Sequence, residues 1–439
     1  MSSPRRLALA LIVLAWGALA TALVVVVIGP VSVPAIALSI SHASRLLVIA
    51  AGAAAISVWL CRGISPLLDD LARSRAPYVA TLVFVLAATA ALIASRGALT
   101  VGGADSAGYL TQAQRWRDAR LHVPLPLSIA GVADPWVQSG FGLRPYATGT
   151  ATVPTYPPGL PWLEAAALAI GGEPVAVRLL PAVAALTALL AIWVIVVAHA
   201  GYPGATFAVV VLATMPVFLF QALQPMSDVP ALAAWLGAMA FAQRPTRARL
   251  AAAAMATAVA ILIRPNLAPL ALAVLWQARM SGGSWRIVVP IAITAAASVA
   301  AVAGVQWHLY GSPMQSGYGR ASELFAVSYV PANIALYLAW LHESVAAPAR
   351  WTLAIGAVAL VVRAARDDTW RPVALMATIT AALYLVYIPF DSWTYLRFVL
   401  VPLALVPTGA AALGGAPRRG SAARWTFPVV AAVVLAVAL

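Results

Sequence analysis

Runs of apolar residues long enough to cross a bilayer recur from one end of this 439-residue chain to the other. They leave few folds open. A spanning helix needs about 20 apolar residues, because in lipid each backbone polar group has to be bonded within the segment itself. With 63% hydrophobic and 9% charged residues, the chain reads as an all-α polytopic membrane protein. About 13 transmembrane helices are expected, near 7–29, 44–61, 77–95, 175–198, 205–223, 229–243, 250–264, 266–279, 286–308, 346–363, 372–389, 397–414 and 425–439. The first run follows Arg5-Arg6, but it is too long for a signal-peptide core and lacks a cleavage site, so it is read as a span. A single cysteine, Cys61, excludes an intramolecular disulfide and a cysteine-rich metal site.

The basic residues orient these spans. All 27 are arginine, and the net charge is +14. In a soluble protein that charge would suggest nucleic acid; here it fits cytoplasmic helix ends facing anionic lipid, with no nucleic-acid partner. The absence of lysine, with abundant alanine, points to a GC-rich bacterial genome and therefore to the cytoplasmic (inner) membrane. With the N-terminus cytoplasmic, arginines cluster in nearly every short inner turn, from Arg62/Arg73/Arg75 to Arg418/Arg419/Arg424. Only the turn at His199 to Gly204 has none. The same register puts segments 96–174, 309–345 and 390–396 on the periplasmic or outer face. With Asp228, at the outer end of a helix pair, nine of the 13 acids fall on that side: Asp105, Asp118, Asp134, Glu164, Glu173, Asp228, Glu323, Glu343 and Asp391. The organisation expected is an N-terminal three-helix membrane segment (1–95), an outer-face catalytic loop (96–174), and a transmembrane core (175–439) with a second outer loop at 309–345.

The first outer loop is too patterned to be a linker. Tyr109, Ala113 and Trp116 recur at helical spacing within Ser106 to Ala119, so an amphipathic surface helix is predicted there. Pro161 to Ile170 and Asn333 to His342 are read as two more surface helices. There is no internal repeat and no soluble domain, so catalysis would have to be built from helices and outer loops.

The order of short motifs is informative. Gly102-Gly103-Ala104-Asp105 leads to Tyr109, then Tyr156-Pro157-Pro158-Gly159, Arg178-Leu179-Leu180, Met226-Ser227-Asp228 and Arg264-Pro265. Tyr310-Gly311-Ser312-Pro313 and Trp393-Thr394-Tyr395-Leu396-Arg397-Phe398 follow. Over roughly Ala94 to Leu413 this series resembles the bacterial GT-C glycosyltransferases related to protein O-mannosyltransferases and the lipid A aminoarabinose transferase. Three departures stand out. Two extra spans precede the loop, a soluble C-terminal domain found in some relatives is not expected, and the paired acids that usually open the loop are here Ala104-Asp105.

The resemblance implies a GT-C fold and an inverting hexosyl- or pentosyltransferase that uses a polyprenyl phosphate sugar at the outer face. The acceptor is a hydroxyl of a glycan, lipid or protein. No cofactor is implied beyond the donor itself. An acceptor hydroxyl needs a carboxylate to take its proton, and a departing lipid phosphate needs cations more than it needs an acid. Asp105 stands where the family places its base; from the residues alone it is equally a helix N-cap. Asp228 corresponds to an acid that faces the cavity in relatives, which makes it the second catalytic candidate, orienting the acceptor or an arginine; it is otherwise a cap or an arginine's partner. Arg264, Arg397 and Arg320 lie at the outer face against the positive-inside trend and are the phosphate candidates; lipid headgroups or nearby acids are the plainer explanation. Tyr109, Tyr156, Tyr310, Tyr318 and Trp393 are candidate substrate contacts, with the glycine-rich stretch 315–319 as a lid. The five histidines show no ligand spacing, and no metal is expected. Two other readings remain: a transporter or flippase for a lipid-linked solute, and a non-catalytic subunit of a cell-envelope assembly. Inverted repeats and midplane charges would mark the transporter, whereas this chain keeps most of its acids at one surface.

Overall fold

The computed structural model describes residues 43–62, 74–124, 140–146, 151–282 and 284–413, with β1 (Val31–Val33), β2 (Leu38–Ile40) and scattered positions among the first 18 residues. The span expected at 425–439 lies outside the described residues, as does most of 7–29. The described chain is predominantly helical. It begins with α1 (Ala43–Leu60) and α2 (Ala76–Arg96).

The segment expected at the outer face follows. It contains α3 (Gly103–Arg117), a three-stranded antiparallel patch of β3 (Val123–Pro124), β4 (Leu143–Pro145) and β5 (Ala151–Pro154), and α4 (Gly159–Gly171). In the patch β5 lies between the other two strands. The two surface helices predicted here are therefore present, each starting two or three residues earlier than expected.

The membrane core is built from α5 (Val175–Thr214), α6 (Pro216–Ala222), α7 (Asp228–Ala242), α8 (Arg247–Ile263), α9 (Ala271–Met280) and α10 (Trp285–Tyr310). A short hairpin of β6 (Gln315–Ser316) and β7 (Gly319–Arg320) then leads to α11 (Val330–Ser344), the third predicted surface helix. Last come α12 (Ala347–Arg366), α13 (Arg371–Leu385) and α14 (Leu400–Leu413).

Five helices among the described residues are long and apolar enough to cross a membrane: 76–96, 175–214, 288–310, 347–366 and 393–413. This is a multi-pass membrane protein, but the five fall short of the thirteen spans read from the sequence. Proline and glycine account for much of the difference, because several expected spans are broken into shorter pieces. In α5 the expected turn survives as a kink at Gly201, whose φ of 72° only glycine adopts readily, just before Pro203. Pro216 divides α5 from α6. The span expected at 266–279 opens as a 3₁₀ turn, Pro265–Leu270, before α9 begins.

Side-chain burial sorts these helices. The inner ones, α5 and α7 with their neighbours, bury Leu189, Ile192, Trp235, Leu236 and Met239 against one another. On α10 and α12, Trp285, Ile293, Trp307, Trp351, Val358 and Val361 remain exposed. An apolar face left open on a helix of spanning length is suited to lipid.

Close backbone approaches fix the outer layer on this core. A Cβ at Gly159 would come within 2.3 Å of the backbone of Leu262 and Ile263. The glycine of Tyr156-Pro157-Pro158-Gly159 is thus what lets α4 start directly against the end of α8. Gly317 meets the backbone of Thr155 in the same way, at 2.2 Å from such a Cβ. Arg144 Nε donates to the Gly317 carbonyl at 3.0 Å, and the Tyr310 hydroxyl donates to the Pro154 carbonyl. These contacts tie residues 310–317 to residues 144–155.

Candidate functional site

Beneath this stapled layer lies a cavity of about 420 Å³. Its walls come from residues far apart in sequence: Asp105 and Tyr109 of α3, Ser227 and Asp228 at the start of α7, Arg264 after α8, Tyr318 of the hairpin, and Arg397.

Local sequence explains how each side chain arrives. Gly102 is the N-cap residue of α3 and Gly103 has a φ of 77°, so the chain turns sharply into the helix. Asp105 then sits in the first turn, where the helix dipole favours an anion. Its side chain makes no cap bond. One oxygen, Oδ1, accepts from the Tyr156 hydroxyl at 3.0 Å, and Oδ2 accepts from Arg397 Nη2 at 2.9 Å. The N-cap alternative for Asp105 is set aside by this geometry. Tyr156 itself is held by Gln112, whose buried amide donates to the Tyr156 carbonyl at 2.8 Å and accepts from its N–H at 3.1 Å.

Arg264 precedes Pro265, and a residue before proline is pushed out of the helical region. Its φ of −135° and ψ of 84° end α8 there. The guanidinium turns to Asp228, donating from Nη2 to Oδ1 at 2.5 Å. Arg264 is otherwise fully engaged: Nη1 donates to the Tyr384 hydroxyl at 2.9 Å, and Nε and Nη2 each reach Ser227 Oγ at 3.3 Å. Asn266 Nδ2 supports Tyr384 from the other side at 3.0 Å. Of the two readings of Asp228 as a cap or an arginine's partner, the second holds. Ser227 also accepts from the Tyr109 hydroxyl at 2.9 Å. Burial raises the Tyr109 pKa to about 12, so its hydroxyl stays a donor across the working range. Tyr156 is pushed up as well, first by burial and then by the Asp105 charge.

Aromatic rings close the opposite wall. Phe398 lies under both guanidiniums, 5.4 Å from the Cζ of Arg264 and 5.4 Å from that of Arg397. Tyr384 stacks on Phe398 with centroids 4.9 Å apart, and Phe390 stacks on Tyr395 at 4.1 Å. A guanidinium over such faces gains cation–π attraction that does not depend on an anion.

The structure brings together Asp105, Tyr109, Asp228, Arg264, Tyr318 and Arg397 at the cavity, with Tyr156 just behind Asp105. It does not bring in the other three. Arg320 is exposed on the hairpin, where its N–H is bonded by Glu323. Tyr310 is spent on the Pro154 carbonyl, and Trp393 packs against Phe220 at 5.5 Å outside the lining. Sequence reasoning gave no role to Ser227, Asn266, Tyr384, Tyr387, Phe390 or Phe398. The pairs Tyr384/Tyr387 and Tyr395/Phe398, each three residues apart near a helix end, were the available signal. Among the described residues, no three His, Cys, Asp or Glu side chains gather closely enough to hold a metal ion.

Residues 155–310 match the family model described as Dolichyl-phosphate-mannose-protein mannosyltransferase. That stretch carries Tyr156, Asp228 and Arg264, and its similarity to GT-C membrane glycosyltransferases agrees with the resemblance drawn from the motifs. No curated protein matches the chain. Among solved structures, it is similar to ArnT from Cupriavidus metallidurans bound to undecaprenyl phosphate, at 18% identity and a TM-score of 0.46, over 82% of this chain and 62% of that one. The apo state of the same ArnT matches at 18% identity and a TM-score of 0.44, over 76% and 58%. The chain thus spans less than two thirds of the length of the ArnT it resembles.

Proposed function

We propose that this chain is an inverting GT-C glycosyltransferase that moves a sugar from a polyprenyl phosphate to an acceptor hydroxyl at the outer face of a bacterial inner membrane. The observation that carries this reading is the single cavity in which a half-exposed carboxylate, two arginines and a wall of aromatic rings converge. In the proposed step the acceptor oxygen attacks the anomeric carbon. The bond from that carbon to the lipid phosphate oxygen breaks, and its electron pair leaves on the phosphate. The hydroxyl proton passes to Asp105, giving the glycosylated acceptor and free polyprenyl phosphate. An arginine fork suits the departing phosphate, and the rings suit a sugar face. Asp228 holds Arg264 in place instead of taking part in the chemistry. The donor brings its own leaving group, so no cofactor is called for.

Purified protein in liposomes, supplied with a panel of polyprenyl phosphate sugars and extracted envelope lipids and glycans, tests the reading. Release of polyprenyl phosphate together with a glycosylated product is expected. Solute or lipid-sugar flux without any release would favour the transporter instead.

A further inference from the structure

The ionisable acids and bases that line the cavity are Asp105, Asp228, Arg264 and Arg397, two of each sign. The cavity is therefore charge-balanced before any ligand enters. A phosphate that joined it without displacing anything would add an unmatched anion to a partly desolvated space, which is costly. An entering phosphate therefore competes with the two carboxylates for the two guanidiniums.

The two pairs are unequal in this respect. The Asp228 side chain is fully buried, and Arg264 is held by Asp228, Ser227 and Tyr384 at once. By contrast the Asp105 side chain is 37% exposed, and Arg397, which like Arg264 meets its acid through Nη2 alone, bonds no other side chain among the described residues. The Arg397 Nε–H is buried with no partner in the protein, an open donor on a residue that lines the cavity. Phe398 and Tyr395 support the guanidinium by ring contacts that survive loss of the carboxylate.

We propose that the donor's phosphate and Asp105 compete for Arg397, and that phosphate binding frees Asp105 to act as base. This deepens, and rests on, the reading of the site as a polyprenyl phosphate sugar transferase. In the ligand-free cavity both Asp105 oxygens already accept a bond, one from Tyr156 and one from Arg397. When Arg397 turns to the phosphate, Oδ2 is released toward the acceptor. The base is thus exposed only once a donor is seated, which forces donor before acceptor. Arg264 stays with Asp228 throughout and acts as a positioning residue.

A double-mutant cycle on equilibrium binding tests the exchange without needing turnover. Affinities for polyprenyl phosphate and for uncharged polyprenol are measured for the wild type, Asp105→Asn, Arg397→Gln and the double variant. Arg397→Met stands in if the glutamine form does not fold. Asp105→Asn should bind the phosphate lipid about tenfold tighter than the wild type, as expected when one charge-assisted hydrogen bond no longer has to be broken. In the Arg397→Gln background the same change should have little effect, and polyprenol binding should not move in any form. No tightening in Asp105→Asn overturns the exchange. Equal tightening in both backgrounds overturns it too, since that is plain repulsion between Asp105 and phosphate. If no form prefers the phosphate lipid over polyprenol, the donor class itself falls and the exchange falls with it; in the first two failures the donor class stands.

Discussion

Asp228 and Asp105 each face one arginine across the same cavity, yet the two pairs are built for different ends. Around Asp228 every partner is interior: its side chain has no exposed surface and its arginine is bonded to three residues from three parts of the chain. Around Asp105 the carboxylate opens to the cavity, and its arginine, distant in sequence, has no other hydrogen-bond partner among the described residues. The first pair locks the start of α7 to the end of α8 and the C-terminal end of α13. The second is the one that rearranges in the proposed exchange. Burial thus separates an enclosed ion pair from an accessible one in a site where the residue types are identical.

The comparison breaks most clearly at Asp228. Asp228→Ala leaves a buried guanidinium without its counter-charge, and such losses cost about 3–5 kcal/mol. A sharp drop in folded yield and in melting temperature in detergent is expected. A melt matching that of the wild type would mean the buried pair is not structural. Next comes exchange of the cations. Lysine cannot reach Asp228, Ser227 and Tyr384 together, so Arg264→Lys should lose roughly 1–3 kcal/mol, the range for hydrogen bonds to charged groups. The melt of Arg397→Lys should change by less, about 1 kcal/mol, because this guanidinium has one hydrogen-bond partner where Arg264 has three. Smaller again is Tyr156→Phe, which removes the hydroxyl's contacts with Asp105 and the Ala104 carbonyl and keeps the ring. A fall in transfer rate of about tenfold or less, with the melt nearly unchanged, is expected from one such bond.

A third carboxylate sharpens the contrast by lacking an arginine altogether. Glu164, on α4, has no exposed surface and neither oxygen has a hydrogen-bond partner. Burial raises its pKa well above the ordinary carboxylate value, so the folded state holds a proton that the unfolded state releases. Its favourable contribution is complete below the unfolded pKa and is lost as pH rises through the raised folded value. Wild-type protein should therefore melt lower as pH climbs through that range. Glu164→Gln should flatten the trend, giving the higher melting temperature at alkaline pH and little difference in acid.

Much of the outer layer was legible because its signals are local. Tyr109, Ala113 and Trp116 recur with helical period and do mark a helix; Tyr156-Pro157-Pro158-Gly159 does open another. Asp105, Asp228, Arg264 and Arg397 were readable by exception, as charges at the outer ends of apolar runs, and they do converge. What stayed hidden depends on tertiary packing. Tyr384 sits in an apolar run where its spacing to Tyr387 is the one local signal, and only the approach of α13 to Arg264 and Asn266 gives it partners. Arg320 carried the same sequence signal as Arg397, but the hairpin turns it to solvent. Helix count was obscured for a similar reason, since Pro216 and Pro265 shorten runs that hydropathy alone reads as continuous.

The most direct test of the account is the rate of sugar transfer from polyprenyl phosphate sugar by Asp105→Asn under saturating donor, with its melt and phosphate-lipid binding measured on the same preparation. A general base typically contributes about 10²–10⁴-fold, so a loss of at least about 100-fold is predicted, in a protein that still folds and still binds the lipid. Transfer at the wild-type rate would contradict the account.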